Sequence, residues 1–107
     1  MAAQARLADA IDDVDFVLSP VFPVVGFPAD APGPDPAQPL AHIGFTAWFN
    51  QTGQPAASVC FGLVDGMPVG VQIAGRRFAD QDVLRLMKWI ETHRPVSLHW
   101  PADPEVW

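Results

Sequence analysis

The sequence predicts an α/β fold: a small mixed sheet of about three strands with helices packed on it. Three observations carry this reading. Residues 57–73 alternate in the manner of two strands, and Asp65-Gly66 between them is a hairpin turn pair. Val83, Leu84, Met87 and Ile90 recur at helical spacing further on. Near the start, Leu7, Ile11 and Val14 do the same.

Taken in order, residues 2–13 read as a helix, with alanines between the periodic apolar positions. Asp15 opens a short apolar run, Phe16-Val17-Leu18, that ends at Ser19-Pro20 and suits a strand covered on both faces. Residues 20–41 hold seven prolines, which remove backbone donors and fix φ, so a long surface connection is expected there. Ile43, Phe45, Ala47, Trp48 and Phe49 form a short helical segment. Gly53 is suited to a left-handed cap at its end, and Pro55 prevents continuation. The second strand is Ala57 to Phe61. A crossover through a helix predicts that it pairs in parallel with the first. In the third strand, Val69, Val71 and Ile73 make a bulky face, while Gly70, Gln72 and Ala74 make a nearly bare one that another backbone could approach. Asp80 is placed to cap a helix running to His93, where Arg94-Pro95 stops it. Leu86 and Trp89 widen the stripe of that helix. The tail 96–107, with Trp100 and Trp107, reads as extended and pinned by its tryptophans. The whole chain, 1–107, reads as a single partial domain.

Composition narrows the function. The chain has 107 residues, 50% hydrophobic and 17% charged, which is apolar for a small free-standing unit and implies surface meant for burial. A net charge of −6 offers nothing to neutralise phosphates, so nucleic acid is not an expected partner. No apolar run reaches 18 residues and the start lacks a basic-then-apolar pattern, so neither a membrane span nor a signal peptide is expected. With one cysteine, Cys60, no internal disulfide forms, and a cytoplasmic setting is the default.

Few residues point to chemistry. His42, His93 and His99 lack metal-ligand spacing, so neither metal nor other cofactor is expected. Cys60 reads as a core residue, and Lys88, the only lysine, sits opposite an apolar stripe and reads as solvated. Gly62, Gly66, Gly70 and Gly75 are spaced along a hairpin and make no phosphate loop. Asn50, Thr52 and Gln54 cluster where a helix hands over to a strand. Capping and local hydrogen bonding is the plain account of them, and a binding role is the alternative.

Several segments, in order, resemble the C-terminal portion of an amidase-signature enzyme. Asp15 to Pro23, DFVLSPVFP, is similar to that family's strand-and-proline segment. Phe45, Thr46, Asn50, Gly53, Pro55, Ala56 and Ser58 resemble its Phe-Thr…Asn-x-x-Gly-x-Pro-Ala-x-Ser run. Asp65 to Gln72, DGMPVGVQ, resembles its Asp-Gly-Leu-Pro-x-Gly-x-Gln hairpin. The resemblance implies amide hydrolysis by a serine nucleophile, a bridging serine and a lysine, carried on upstream segments absent from this chain. It further implies that this portion completes a sheet and lines the substrate cleft, with Phe45, Thr46, Phe49 and Asn50 as wall residues. Two positions depart from the pattern. Cys60 replaces a proline, and Ile43 stands where ammonia-releasing members carry an Asp, which implies a less polar wall.

Two function classes follow. One is a C-terminal fragment or subunit of an amide hydrolase, not catalytic alone; the other is a small-ligand or protein-interaction module that kept the fold. The expected partner is an N-terminal amidase subunit or a second copy in a homo-oligomer. The bare Gly70–Gln72–Ala74 face, with Trp48, Phe49 and Trp89, is the candidate interface.

Overall fold

A computed structural model describes residues 2–98. In chain order the elements are α1 (Ala2–Ile11), β1 (Phe16–Pro20), a 3-10 turn (Ala41–Ile43), α2 (Ala47–Thr52), β2 (Ala56–Val64), β3 (Met67–Gly75) and α3 (Asp80–His93). The three strands form one sheet in the order β1-β3-β2, and both pairings are antiparallel. The α/β class and the strand number agree with the sequence reading. The expected parallel pairing of β1 and β2 is not formed. They run the same way, but β3 lies between them. The hairpin fixes β3 beside β2, and β1 then pairs with the free edge of β3, Leu18 opposite Ile73.

The hairpin forms for a local reason. Asp65 (φ 51°) and Gly66 (φ 76°) both take the left-handed backbone that a two-residue turn of matching twist requires, and Val64 pairs with Met67 across it. Further along β2 the ladder carries a bulge: Cys60 faces Gly70 and Gly62 faces Val69, which leaves Phe61 unpaired.

The two faces of β3 do different work. Its bulky face packs on α3. Val59, Ile73, Val83 and Ile90 are the buried cluster, with Phe16, Ala57, Val71, Leu86 and Met87 against it. Helix α3 spans the predicted residues, but Ala79 and not Asp80 occupies its N-cap, and no side chain caps it. Asp80 lies within the first turn, where its charge still favours the helix end. Leu84 and Trp89 are exposed, contrary to the expected stripe. A three-stranded sheet is narrow, so it covers only the strip through Val83, Leu86, Met87 and Ile90. Cys60 is half-buried on an edge strand rather than in the core. The other face of β3 is covered by the chain itself. Gly70 lies so close to Ser58 Oγ and Val21 that an added Cβ would come within 2.8 Å of the hydroxyl. Gln72 and Ala74 are buried, as is Phe49. These three are therefore not available as an interface, whereas Trp48 and Trp89 remain exposed. Helix α1 ends at Ile11, two residues before the predicted limit, and the tail tryptophans lie outside the described residues.

Ile73 is 0% exposed at the middle of this cluster. Ile73→Ala should lower unfolding free energy by roughly 2–5 kcal/mol through lost transfer energy and the cavity left behind. Leu84→Ala should change it by less than about 0.5 kcal/mol. Urea denaturation of the two variants checks both values.

Candidate functional site

The polar centre of the fold is Gln72, 6% exposed in the middle strand. Its amide Nε2 donates to Ser19 Oγ on β1 (2.9 Å) and to the Phe45 carbonyl ahead of α2 (2.9 Å). One side chain thus ties the edge strand and the Phe45 segment to the central strand. Gly70 on the same face leaves room for Ser58 Oγ and Val21 to approach, as the bare face of the strand suggested. A buried amide with both donors used is worth about 1 kcal/mol per bond, and more is lost if its partners are left unpaired.

Below Phe45, α2 is short and ends at Gly53 (φ 73°), which takes the left-handed cap expected of it, its N–H donating to Phe49 O (3.1 Å). Thr52 Oγ1 lies 3.0 Å from Gln54 Oε1, to which it donates. Gln54 Nε2 donates in turn to the Gly75 carbonyl (2.9 Å), and Gly75 N–H donates to Pro55 O (3.0 Å). Thr52 and Gln54 therefore hold the helix-to-strand corner together, which is the plain structural account of them. Asn50 is exposed.

Two arginines at the end of β3 complete the corner. Arg77 donates through Nε (3.1 Å) and Nη2 (2.7 Å) to Thr52 O, the last carbonyl of α2. Arg76 donates through Nε to Val14 O (3.1 Å) and through Nη2 to Asp12 O (3.3 Å), just past α1. Both bind carbonyls where helix C-termini favour positive charge. The Arg76–Asp15 pair (3.6 Å) is exposed and adds little. The turn that follows closes with Ala79 N–H on Arg76 O (3.0 Å). Phe78, third in that turn, has φ 66°, where glycine is the usual residue, and it is 92% exposed.

Two open grooves flank this framework. The larger, about 660 Å³, lies among Ala8, Ile11, Asp12, Thr52, Arg76 and Arg77. The second, about 500 Å³, runs between the Pro20–Val25 segment and Ser58, Pro68 and Gly70. Phe45, Thr46, Phe49 and Asn50 line neither groove. Phe45 is partly exposed and gives its carbonyl to Gln72, Thr46 precedes α2, and Phe49 is the buried residue of that helix. Sequence reasoning does not single out Gln72, Arg76 or Arg77 as site residues. Gln72 has a readable signal, a lone large polar residue inside an alternating apolar strand; the arginines have none, because their partners are distant carbonyls. Among the described residues no His, Cys, Asp and Glu side chains gather as a metal ion would need, and no helix is long and apolar enough to cross a membrane.

Residues 1–84 match the family model described as Amidase, and the chain belongs to that family. It is similar to a component of the glutamyl-tRNA(Gln) amidotransferase of Thermotoga maritima, 37% identical over 101 residues, covering 91% of this chain and 21% of the relative. An uncharacterized protein in the nthA 5' region of Rhodococcus erythropolis is 38% identical over 96 residues, covering 86% of this chain and 48% of that protein. The crystal structure of the same Thermotoga maritima amidotransferase component superposes with a TM-score of 0.74 at 40% identity, covering 86% of this chain and 20% of that one. A crystal structure of an amidase gives 0.74 at 32% identity, over 87% and 23%. The chain thus spans about a fifth of the length of most of these relatives.

Replacing Gln72 by Met keeps its bulk and removes both donors. Stability should fall by about 1–3 kcal/mol as Phe45 O and Ser19 lose their partner. Hydrogen exchange should quicken across residues 45–52 while the α3 amides stay protected. Uniform loss of protection would contradict this division.

Proposed function

We propose that this chain acts as the C-terminal portion of an amidase-family amide hydrolase and has no turnover by itself. It supplies a wall to a cleft whose serine–serine–lysine machinery lies on an upstream portion. Phe45, Thr46, Phe49 and Asn50 are the wall residues, with Phe45 and Asn50 exposed in the chain by itself. The observation that carries the reading is the family match over most of this chain, set against the fifth of its relatives that the chain covers. Phe78 supports it independently. A phenylalanine at φ 66° costs about 1 kcal/mol or more, and its ring is almost wholly exposed, so nothing in the described chain offsets the cost. Such a residue suits an anchor against a partner surface.

Several similar proteins, that of Thermotoga maritima among them, carry the name of a glutamyl-tRNA(Gln) amidotransferase component. In this chain Ile43 occupies the position where an acidic residue is expected for glutamine, so a less polar amide is the better substrate class. The second reading, an interaction module without chemistry, is favoured by one feature. Thr52 and Gln54 spend their side chains on each other and on the Gly75 carbonyl, and Gln72 spends its amide N–H groups on Ser19 and Phe45.

Pure chain incubated with a panel of simple amides should show no hydrolysis. Adding a separately produced upstream amidase portion, bearing the lysine and glycine–serine segments, should restore it. Turnover by the chain alone that survives repurification would overturn the reading, and so would a failure of the two portions to associate. Phe78→Gly gives a sharper result. It should stabilise the isolated chain by about 0.5–1 kcal/mol, relieving the left-handed strain, yet weaken association with the upstream portion at least several-fold. Thermal melting and a binding titration read the two effects separately.

A further inference from the structure

We propose that the groove between α1 and the Arg76–Arg77 pair binds a small carboxylate with a short apolar body. The inference does not depend on amide hydrolysis. The groove holds about 660 Å³, within the range of small-ligand sites. Ala5, Ala8 and Ile11 give it an apolar side, and the two guanidiniums give it a cationic one.

The arginines are held in place by the fold. Arg77 places Nε and Nη2 on Thr52 O, and Arg76 places Nε and Nη2 on Val14 O and Asp12 O. Each thereby fixes its plane, and the Nη1 group of neither makes a hydrogen bond among the described residues. A fixed guanidinium with an unused edge matches the planar geometry of a carboxylate, and little side-chain freedom remains to be lost on binding. A phosphate would be poorly served, because beyond the two arginines the groove is lined by neutral side chains and the Asp12 carboxylate, with no further cation to balance a second negative charge. Two charges oppose an anion here. Asp12 lines the groove itself, and Asp15 lies 3.6 Å from Arg76. They leave Arg77 as the stronger anchor and restrict the ligand to a single negative charge.

The test is an amide-resolved NMR titration of the full chain with hexanoate, with hexanamide as the neutral counterpart. Hexanoate should shift the amides of residues 8–12 and 76–77 saturably, and hexanamide at the same concentration should not. Asp12→Asn removes a repulsive charge while leaving the backbone carbonyl that Arg76 uses, so it should tighten hexanoate binding about threefold. Arg77→Gln should weaken it about tenfold or more. Should that variant lose its fold, Ala8→Asp decides instead, since it leaves both arginine bonds intact and should abolish the shifts. Equal binding of hexanamide, no tightening in Asp12→Asn, or no saturable shift in the native chain would each overturn the proposal.

Discussion

Everything in this fold is arranged around the middle strand. β3 is paired on both edges, packed by α3 on one face and approached by the Phe45 segment on the other. Such a strand has no solvent to satisfy its polar groups. Its one large polar side chain, Gln72, must find partners inside the protein, and it does so on two different elements. The same alternation explains why the faces differ. Val71 and Ile73 supply bulk toward α3, while Gly70 gives up bulk so that Ser58, Val21 and a backbone carbonyl can come close. Burial and polar satisfaction are thus met by alternate residues of one strand.

The end of that strand organises the helices. Arg76 and Arg77 follow β3 directly, and each reaches carbonyls at a helix C-terminus, one past α1 and one at the end of α2. These helices lie close to the sheet at few points, and charge-assisted bonds to carbonyls tie them to the end of β3 at this corner. The outer edges of the sheet are treated differently. On β2, Arg94 donates to Cys60 O (3.0 Å), and Val96 crosses Gly62. No described element packs to a comparable extent on β1 other than β3. Several apolar side chains, Leu18 and Leu63 among them, remain exposed, as befits a chain that spans a fifth of its solved relatives.

Local elements are legible in the sequence. The hairpin and α3 can be read because each rests on signals within a few residues: a left-handed turn pair, a helical stripe, a terminating Arg-Pro. The β1–β3 pairing cannot, since it joins residues more than fifty positions apart and adjacency favours β2 instead. Leu84 and Trp89 depart from expectation because periodicity marks the apolar side of a helix but not the width of what covers it. At the candidate site, Thr52 and Gln54 stand out as a polar cluster whose bonds prove local. Arg76 and Arg77 escape notice because carbonyl acceptors leave no mark in a sequence.

The bulge at Phe61 has a reason that emerges only when both ends of the hairpin are considered. At its tip the turn dictates that Val64 meets Met67, and the ladder can be counted inward from there. At its base the packing beneath α3 dictates that Val59 meets Val71. The two counts disagree by one residue. Neither can yield: a shift at the tip would break the turn, and a shift at the base would invert which side chains reach the helix. Phe61 is the residue left over, and the mismatch is absorbed there. Two incompatible rulers are laid along the same strand, and the bulge is the point where their graduations are reconciled.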